Sequence, residues 1–222
     1  MDSTLTPRIK ICCIGSVAEA TLAIECGASA LGLVSNMPSG PGVISDDQIA
    51  EIAATVPPSI GTFLLTSRQR VNDIIEQQRF CRTNTIQLCD HLTHGTHRDL
   101  KDALPGISVV QVVHVTGPDS VEEATGVAPH VDAILLDSGN QKLAVKELGG
   151  TGRTHDWTLS RAIRERIGVP LFLAGGLTPE NVGRAIDEVG PFGVDVCSGV
   201  RTDDKLDASK LKRFFAAATT RL

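Results

Sequence analysis

Short apolar runs alternate with amphipathic segments along the whole chain. Residues 9–12, 30–34, 61–65 and 85–88 are apolar runs of strand length, and 109–115, 133–136, 171–174 and 193–196 repeat the pattern. Between them the apolar positions recur with helical spacing. Ser16-Val-Ala-Glu19 and Ser45-Asp-Asp-Gln48 are capping-box signatures, which predict helices over 16–26, ended by Gly27, and over 45–55, closed by Pro57-Pro58. Further helices are predicted over 66–80 and 98–103, from Asp119 onward, over 157–167 and over 206–218. Another opens with Thr178 as N-cap and Pro179 at its first position. A long glycine-rich loop covers 138–156.

Eight strand–helix units result. Strands that are apolar throughout, without polar alternation, are buried on both faces, as parallel sheets require. The pattern therefore predicts an α/β protein, a single (β/α)8 TIM barrel spanning 1–222 as one domain. An open doubly wound sheet would carry a glycine fingerprint after its first strand. The turn Cys13-Ile-Gly-Ser16 does not fit one.

Composition narrows the picture. Aromatic residues are 3% of the chain and tyrosine is absent, so the core is aliphatic and base-stacking nucleic-acid recognition is disfavoured. The net charge of -5 comes without a long basic run, which argues against a polyanion surface but leaves room for a small anion held locally. The six cysteines have no zinc-pair spacing, and no secretory signal opens the sequence. They are expected as reduced thiols in a cytoplasmic protein, and no apolar run is long enough to span a membrane. The oligomeric state is not fixed by the sequence.

In such a barrel the chemistry sits on the loops after the strands. Two strand ends there bear glycines: Ala174-Gly175-Gly176 and Ser198-Gly199-Val200. Glycine lets amides approach an anion closely, so these turns are candidate phosphate binders; plain turn residues are the alternative. Asp137 ends an apolar run, where desolvation can make a carboxyl an acid, or where it simply caps a turn. Cys12 ends the first strand and is either a base or nucleophile or a small core residue. Cys13, by alternation, should point the opposite way, toward the helices. Asp195 can bond a substrate hydroxyl or amine, or join a buried salt bridge. Lys10 shares the parity of Cys12, either lowering its thiol's pKa or forming an ion pair. His91, His94 and His97 read as a solvated loop, with no metal expected. Gly150, Gly152, His155 and Asp156 lie in the long loop, a candidate flap or an ordinary surface loop, with Trp157 packing it onto the barrel.

These motifs, in this order, resemble phosphoribosylanthranilate isomerase. The resemblance rests on Lys10-Ile-Cys-Cys-Ile14, Ala28-Ser-Ala-Leu-Gly32, Asp132-Ala-Ile-Leu-Leu-Asp-Ser138, Gly149-Gly-Thr-Gly-Arg-Thr-His-Asp-Trp157, Leu173-Ala-Gly-Gly-Leu-Thr-Pro-Glu-Asn-Val182 and Pro191-Phe-Gly-Val-Asp-Val-Cys-Ser-Gly-Val200. It implies an Amadori rearrangement of a phosphorylated ribosylamine in tryptophan biosynthesis. Asp137 would be the general acid and Cys12 the general base. Gly175, Gly176, Ser198 and Gly199 would hold phosphate, with Asp195 near the substrate and no cofactor. Three departures stand out. Residues 35–42, where the family carries an aglycone-gripping arginine, contain no Arg or Lys. Cys89-Asp90 replaces a His-Gly pair, and Cys13 replaces a glycine. The resemblance therefore leaves room for a paralogue acting on another phosphosugar, or for a barrel that binds a phosphometabolite without turnover.

Overall fold

The computed structural model describes residues 6–141 and 143–220. Eight parallel strands close on themselves in chain order: β1 (Arg8–Ile11), β2 (Ala30–Val34), β3 (Gly61–Thr66), β4 (Thr85–Leu88), β5 (Ser108–His114), β6 (Ala133–Asp137), β7 (Leu171–Leu173) and β8 (Gly193–Val196). Helices α1 (Val17–Glu25), α2 (Asp46–Thr55), α3 (Val71–Cys81), α4 (His97–Ala103), α5 (Asp119–Val127), α6 (Trp157–Arg166), α7 (Val182–Val189) and α8 (Ala208–Thr219) follow the strands in turn. The (β/α)8 barrel expected from the apolar pattern is the fold. Among the described residues no helix is long and apolar enough to cross a membrane.

Side-chain alternation builds two cores from one set of strands. Ile9, Ile11, Leu31, Leu33, Leu64, Ile86 and Leu88 turn outward and meet the helices. Phe63, Leu65, Val110, Val112, Leu135 and Phe172 turn inward and fill the barrel. With few aromatics available, one edge-to-face pair, Phe63 on Phe172 at 5.9 Å, supplies much of the interior bulk.

Local chemistry sets the helix starts. The Ser45–Gln48 capping box forms in full. The Ser16 box forms only by half: Ser16 Oγ accepts from the Glu19 amide at 3.2 Å, but the Glu19 carboxylate accepts from Gly15 N at 3.0 Å. Three starts differ from the pattern's forecast by two residues or more. α3 begins at Val71, not Thr66, because Thr66 completes β3 and its Oγ1 accepts from Arg68 N. α7 begins at Val182, not after Thr178. Asn181 Oδ1 accepts from Thr178 N and Thr178 Oγ1 from Glu180 N, which closes a turn instead. α8 begins at Ala208, because Leu206 is drawn into a small antiparallel pair, β9 (Arg201–Thr202) with β10 (Lys205–Leu206). α4 gains a Thr96–Asp99 capping box and starts at His97.

The barrel closes where β1 meets β8, with Lys10 opposite Asp195. Both point inward, and Lys10 Nζ lies 2.9 Å from Asp195 Oδ2, with exposures of 0% and 7%. Removing one partner of such a pair strands a buried charge, at a cost of about 3–5 kcal/mol, whereas replacing both with apolar groups is close to neutral. Lys10→Met is therefore expected to lower unfolding free energy by that amount in a denaturant titration. Lys10→Met with Asp195→Leu should recover most of it. Equal melts for single and double variants would contradict the pairing.

Candidate active site

The C-terminal strand ends surround a cleft of about 680 Å³, counted out to solvent. Its walls include Cys12 and Cys13 after β1, Gln87 from β4 and Cys89 just after it, Asp137 from β6, Gly175 and Gly176 after β7, and Asp195, Cys197 and Ser198 from β8 and its turn. Loops close over it from two sides: Ser39, Gly40 and Pro41 after β2, and 148–152 after β6. Cys12 and Asp137, far apart in sequence, thus face one space.

Asp137 is buried, and its Oδ1 accepts from the Ser138 amide at 2.7 Å. Burial pushes its carboxyl up to about 6; the Ser138 amide opposes this, and nearby Asp195 adds to it. A carboxyl in that range keeps its proton in a minor fraction near neutrality, far more than an ordinary carboxyl does, and gives it up readily, as a general acid requires.

Lys10 sits beneath Cys12. Burial alone would depress its ammonium, but the Asp195 carboxylate outweighs burial and holds it charged. The ion-pair reading of Lys10 is therefore the one realised. Asp195 spends Oδ2 on Lys10, while Oδ1 is buried without a partner and the residue lines the cleft. That free oxygen is suited to a ligand hydroxyl. Gln87 Oε1, also on the cleft wall, is likewise unpartnered.

Cys13 departs from the alternation rule. It was expected to point toward the helices, yet it lines the cleft and packs in the inner core. The reason is a left-handed backbone at φ 62°, which rotates the side chain off the strand's regular course. That conformation costs a residue with a Cβ about 1–2 kcal/mol. Gly42 fits against it, since a Cβ at Gly42 would lie 2.4 Å from Cys13 Cβ. The thiol of Cys13 is held high by hydrogen bonding to Cys12 and Cys197 and by burial. Cys197, half-buried, is held low chiefly by its bond from Cys13, against burial, with Arg201 nearby.

The two glycine turns lie side by side. Gly176 adopts φ 59°, and an added Cβ would strike the Arg153 backbone at 2.6 Å. At Gly199 a Cβ would come within 2.0 Å of Leu177 O, so the two turns touch only because this residue has no side chain. Gly175, Gly176 and Ser198 line the cleft; Gly199 sits behind them in a 3-10 turn over Ser198–Val200.

The loop after β6 is anchored rather than free. Asn140 and Glu147 form a backbone bridge, Ser138 Oγ lies 2.7 Å from Thr151 Oγ1, and Ser39 Oγ donates to Lys146 O at 2.7 Å. Gly150 and Gly152 line the cleft, but Asp156 does not. Asp156 caps α6, accepting from Thr158 N at 2.9 Å, and Trp157 is buried, as expected, with Arg184 over its ring at 4.9 Å. His155 is pushed down to about 4 by burial and bonds Ser160 Oγ. Among the described residues no group of three metal-ligating side chains converges. No Arg or Lys among the described residues lines the cleft. Two cations of the loop's described residues are engaged elsewhere, Lys146 with Asp90 at 2.5 Å and Arg153 with Glu147.

Sequence reasoning missed Gln87 and Cys197 as wall residues, and the Ser39–Pro41 contribution. The signal for Gln87 was its inward parity near a strand end, in register with Leu65 and Val110.

A closed parallel barrel with its titratable groups gathered at one mouth belongs to the (β/α)8 enzyme class. The family model described as N-(5'phosphoribosyl)anthranilate (PRA) isomerase matches residues 9–217. N-(5'-phosphoribosyl)anthranilate isomerase 2 of Methanosarcina mazei is 36% identical over 195 residues, covering 87% of this chain and 85% of the relative. The crystal structure of phosphoribosyl anthranilate isomerase from Thermotoga maritima superposes with a TM-score of 0.79 at 32% identity, covering 96% and 98% of the two chains. A crystal structure of phosphoribosyl anthranilate isomerase in complex with reduced 1-(o-carboxyphenylamino)-1-deoxyribulose 5-phosphate gives 0.77 at 31%, with the same coverage. The chain belongs to the phosphoribosylanthranilate isomerase family. The matches favour an isomerase over the paralogue and the non-catalytic barrel.

The raised Asp137 has a thermodynamic signature. Its folded value of about 6 exceeds the ordinary carboxyl value of 3.8, so the folded state binds the proton more tightly. The stability this confers is complete below the unfolded value and is lost as pH rises to about 6. Asp137→Asn is expected to abolish that loss and to be more stable than the parent above pH 6, by on the order of 1–3 kcal/mol. Denaturant melts across pH 4–8 measure it, and an undiminished loss in the variant would refute the assignment.

Proposed function

We propose that this protein converts N-(5'-phosphoribosyl)anthranilate to 1-(o-carboxyphenylamino)-1-deoxyribulose 5-phosphate, a step of tryptophan biosynthesis, as one barrel acting in the cytoplasm. The observation that carries this is a raised carboxyl, Asp137, and a thiol, Cys12, facing one cleft beside two glycine turns in a member of this family. The phosphate of the sugar lies against the backbone of Gly175, Gly176, Ser198 and Gly199. Asp137 passes its proton to the furanose ring oxygen, and the ring opens to a Schiff base. Cys12, as thiolate, takes the proton from the sugar C2. The enolamine then ketonises, with C1 gaining a proton and the C2 hydroxyl losing one. Asp195 Oδ1 receives a sugar hydroxyl. The groups needed are two proton carriers, and the chain supplies both.

The aglycone end of the site is unusual. Its walls are 39–41 and 148–152, with no guanidinium among the described residues to grip a carboxylate bidentately. The carboxylate of anthranilate therefore contributes little to affinity.

Two outcomes are expected. The parent gene rescues a tryptophan auxotroph lacking this isomerase, while Cys12→Ala and Asp137→Asn each fail to rescue and lose turnover; full activity in either folded variant removes its residue from the mechanism. In calorimetry, a reduced product analogue without the aryl carboxylate binds within about tenfold of the complete analogue, or about 1.4 kcal/mol. A loss beyond about a hundredfold would reveal a cation reaching the carboxylate.

A further inference from the structure

The mechanism leaves one charged hub unused. Glu19 lies in the first turn of α1, and Arg201 follows the glycine turn after β8; their side chains are 19% and 9% exposed. Guanidinium and carboxylate meet in a two-pronged pair, Nη1 to Oε1 and Nη2 to Oε2, both at 3.0 Å. Glu19 accepts two amides as well, Gly15 N and Leu206 N, each at 3.0 Å. Arg201 donates Nη1 to Asp204 O at 2.8 Å, and its Nη2 reaches Cys12 O at 3.4 Å and Cys13 O more closely.

The hub thus grips the two carbonyls that flank the left-handed turn at Cys13. Cys12 lies past the end of β1, and its amide is held by Val196 O on β8 at 2.8 Å. Its carbonyl accepts from Arg201 Nη2. Strained turns persist where their surroundings over-determine them. The planar fork of Arg201 does so here, and ties the thiol-bearing turn after β1 to the segment leaving the phosphate turn after β8.

We infer that Arg201 is a positioning residue: anchored by Glu19, it fixes the carbonyls of Cys12 and Cys13 and thereby aims the Cys12 thiol relative to a ligand held at the glycine turns. This rests on the reading of Cys12 as the base. A lysine cannot take its place, because one ammonium cannot reach two carbonyls and both carboxylate oxygens in one plane. Loss of the fork should slow proton abstraction and leave binding intact, since misplacement by about 1 Å can cost about a hundredfold in rate.

The test compares the parent, Arg201→Lys, the charge-neutral double variant Arg201→Gln with Glu19→Gln, and Cys12→Ala. Binding of the reduced product analogue is measured by calorimetry and conversion by single-turnover kinetics at saturating enzyme. The expected result for Arg201→Lys and the double variant is one analogue per chain, with Kd within about threefold of the parent, and a single-turnover rate down at least about tenfold. A parental rate overturns the inference. So does a rate loss matched by fewer binding sites or by weaker Kd, which would mark a merely structural role. If Arg201→Lys fails to fold, the double variant, which strands no charge, gives the reading. Cys12→Ala separates the two levels: its retaining full activity would remove the base assignment, whereas its being inactive while both Arg201 variants turn over normally would remove the positioning role alone.

Discussion

Lys10 and Asp195 meet across the one seam where the barrel closes on itself, and the rest of the site follows from that contact. Parallel strands can slip against one another, and a slip of one residue exchanges the inward and outward sets. At the seam such a slip would carry a buried ammonium or carboxylate away from its partner, which is far costlier than misplacing an apolar side chain. With Lys10 held inward, Cys12 two residues on reaches the mouth on the same side. With Asp195 inward, the chain leaves β8 toward the turn at Ser198 and Gly199. The pair also leaves Asp195 Oδ1 without a partner in a residue that lines the cleft.

Around this seam the cleft separates its tasks by environment. Desolvation at the end of β6 gives Asp137 a proton it can donate. The glycine turns after β7 and β8 touch because Gly199 lacks a Cβ, which brings their backbones together at one rim. The loop after β6, bridged at Asn140 and Glu147 and bonded to Ser39, walls the opposite side. Lys146 and Arg153 on it pair with Asp90 and Glu147 instead of facing the cleft, so among the described residues this wall carries no positive charge of its own.

Much of this was legible in the sequence, because it follows from periodicity. The eight strands, the inward parity shared by Lys10 and Cys12, and the placement of Asp137 at a strand end are consequences of alternation along apolar runs. What escaped depended on local conformation or on distant partners. Cys13 broke alternation because its φ is positive, which a cysteine does not advertise. Thr178-Pro179 looked like a helix start, but Asn181 closes a turn there. The Ser16 box looked self-contained, yet the Glu19 carboxylate is taken by an arginine 182 residues away. Asp156, grouped with the flap by position, is a helix cap.

A single ligand, on this reading, spans the glycine turns, the Cys12 thiol and the Asp137 carboxyl. A crystal structure of the protein with the reduced deoxyribulose phosphate analogue measures this most directly. The account predicts the phosphate against the amides of Gly176 and Ser198, C2 facing Cys12 Sγ, and the oxygen that closes the furanose facing Asp137. A phosphate bound away from those turns, or a sugar whose C2 faces neither group, would contradict it.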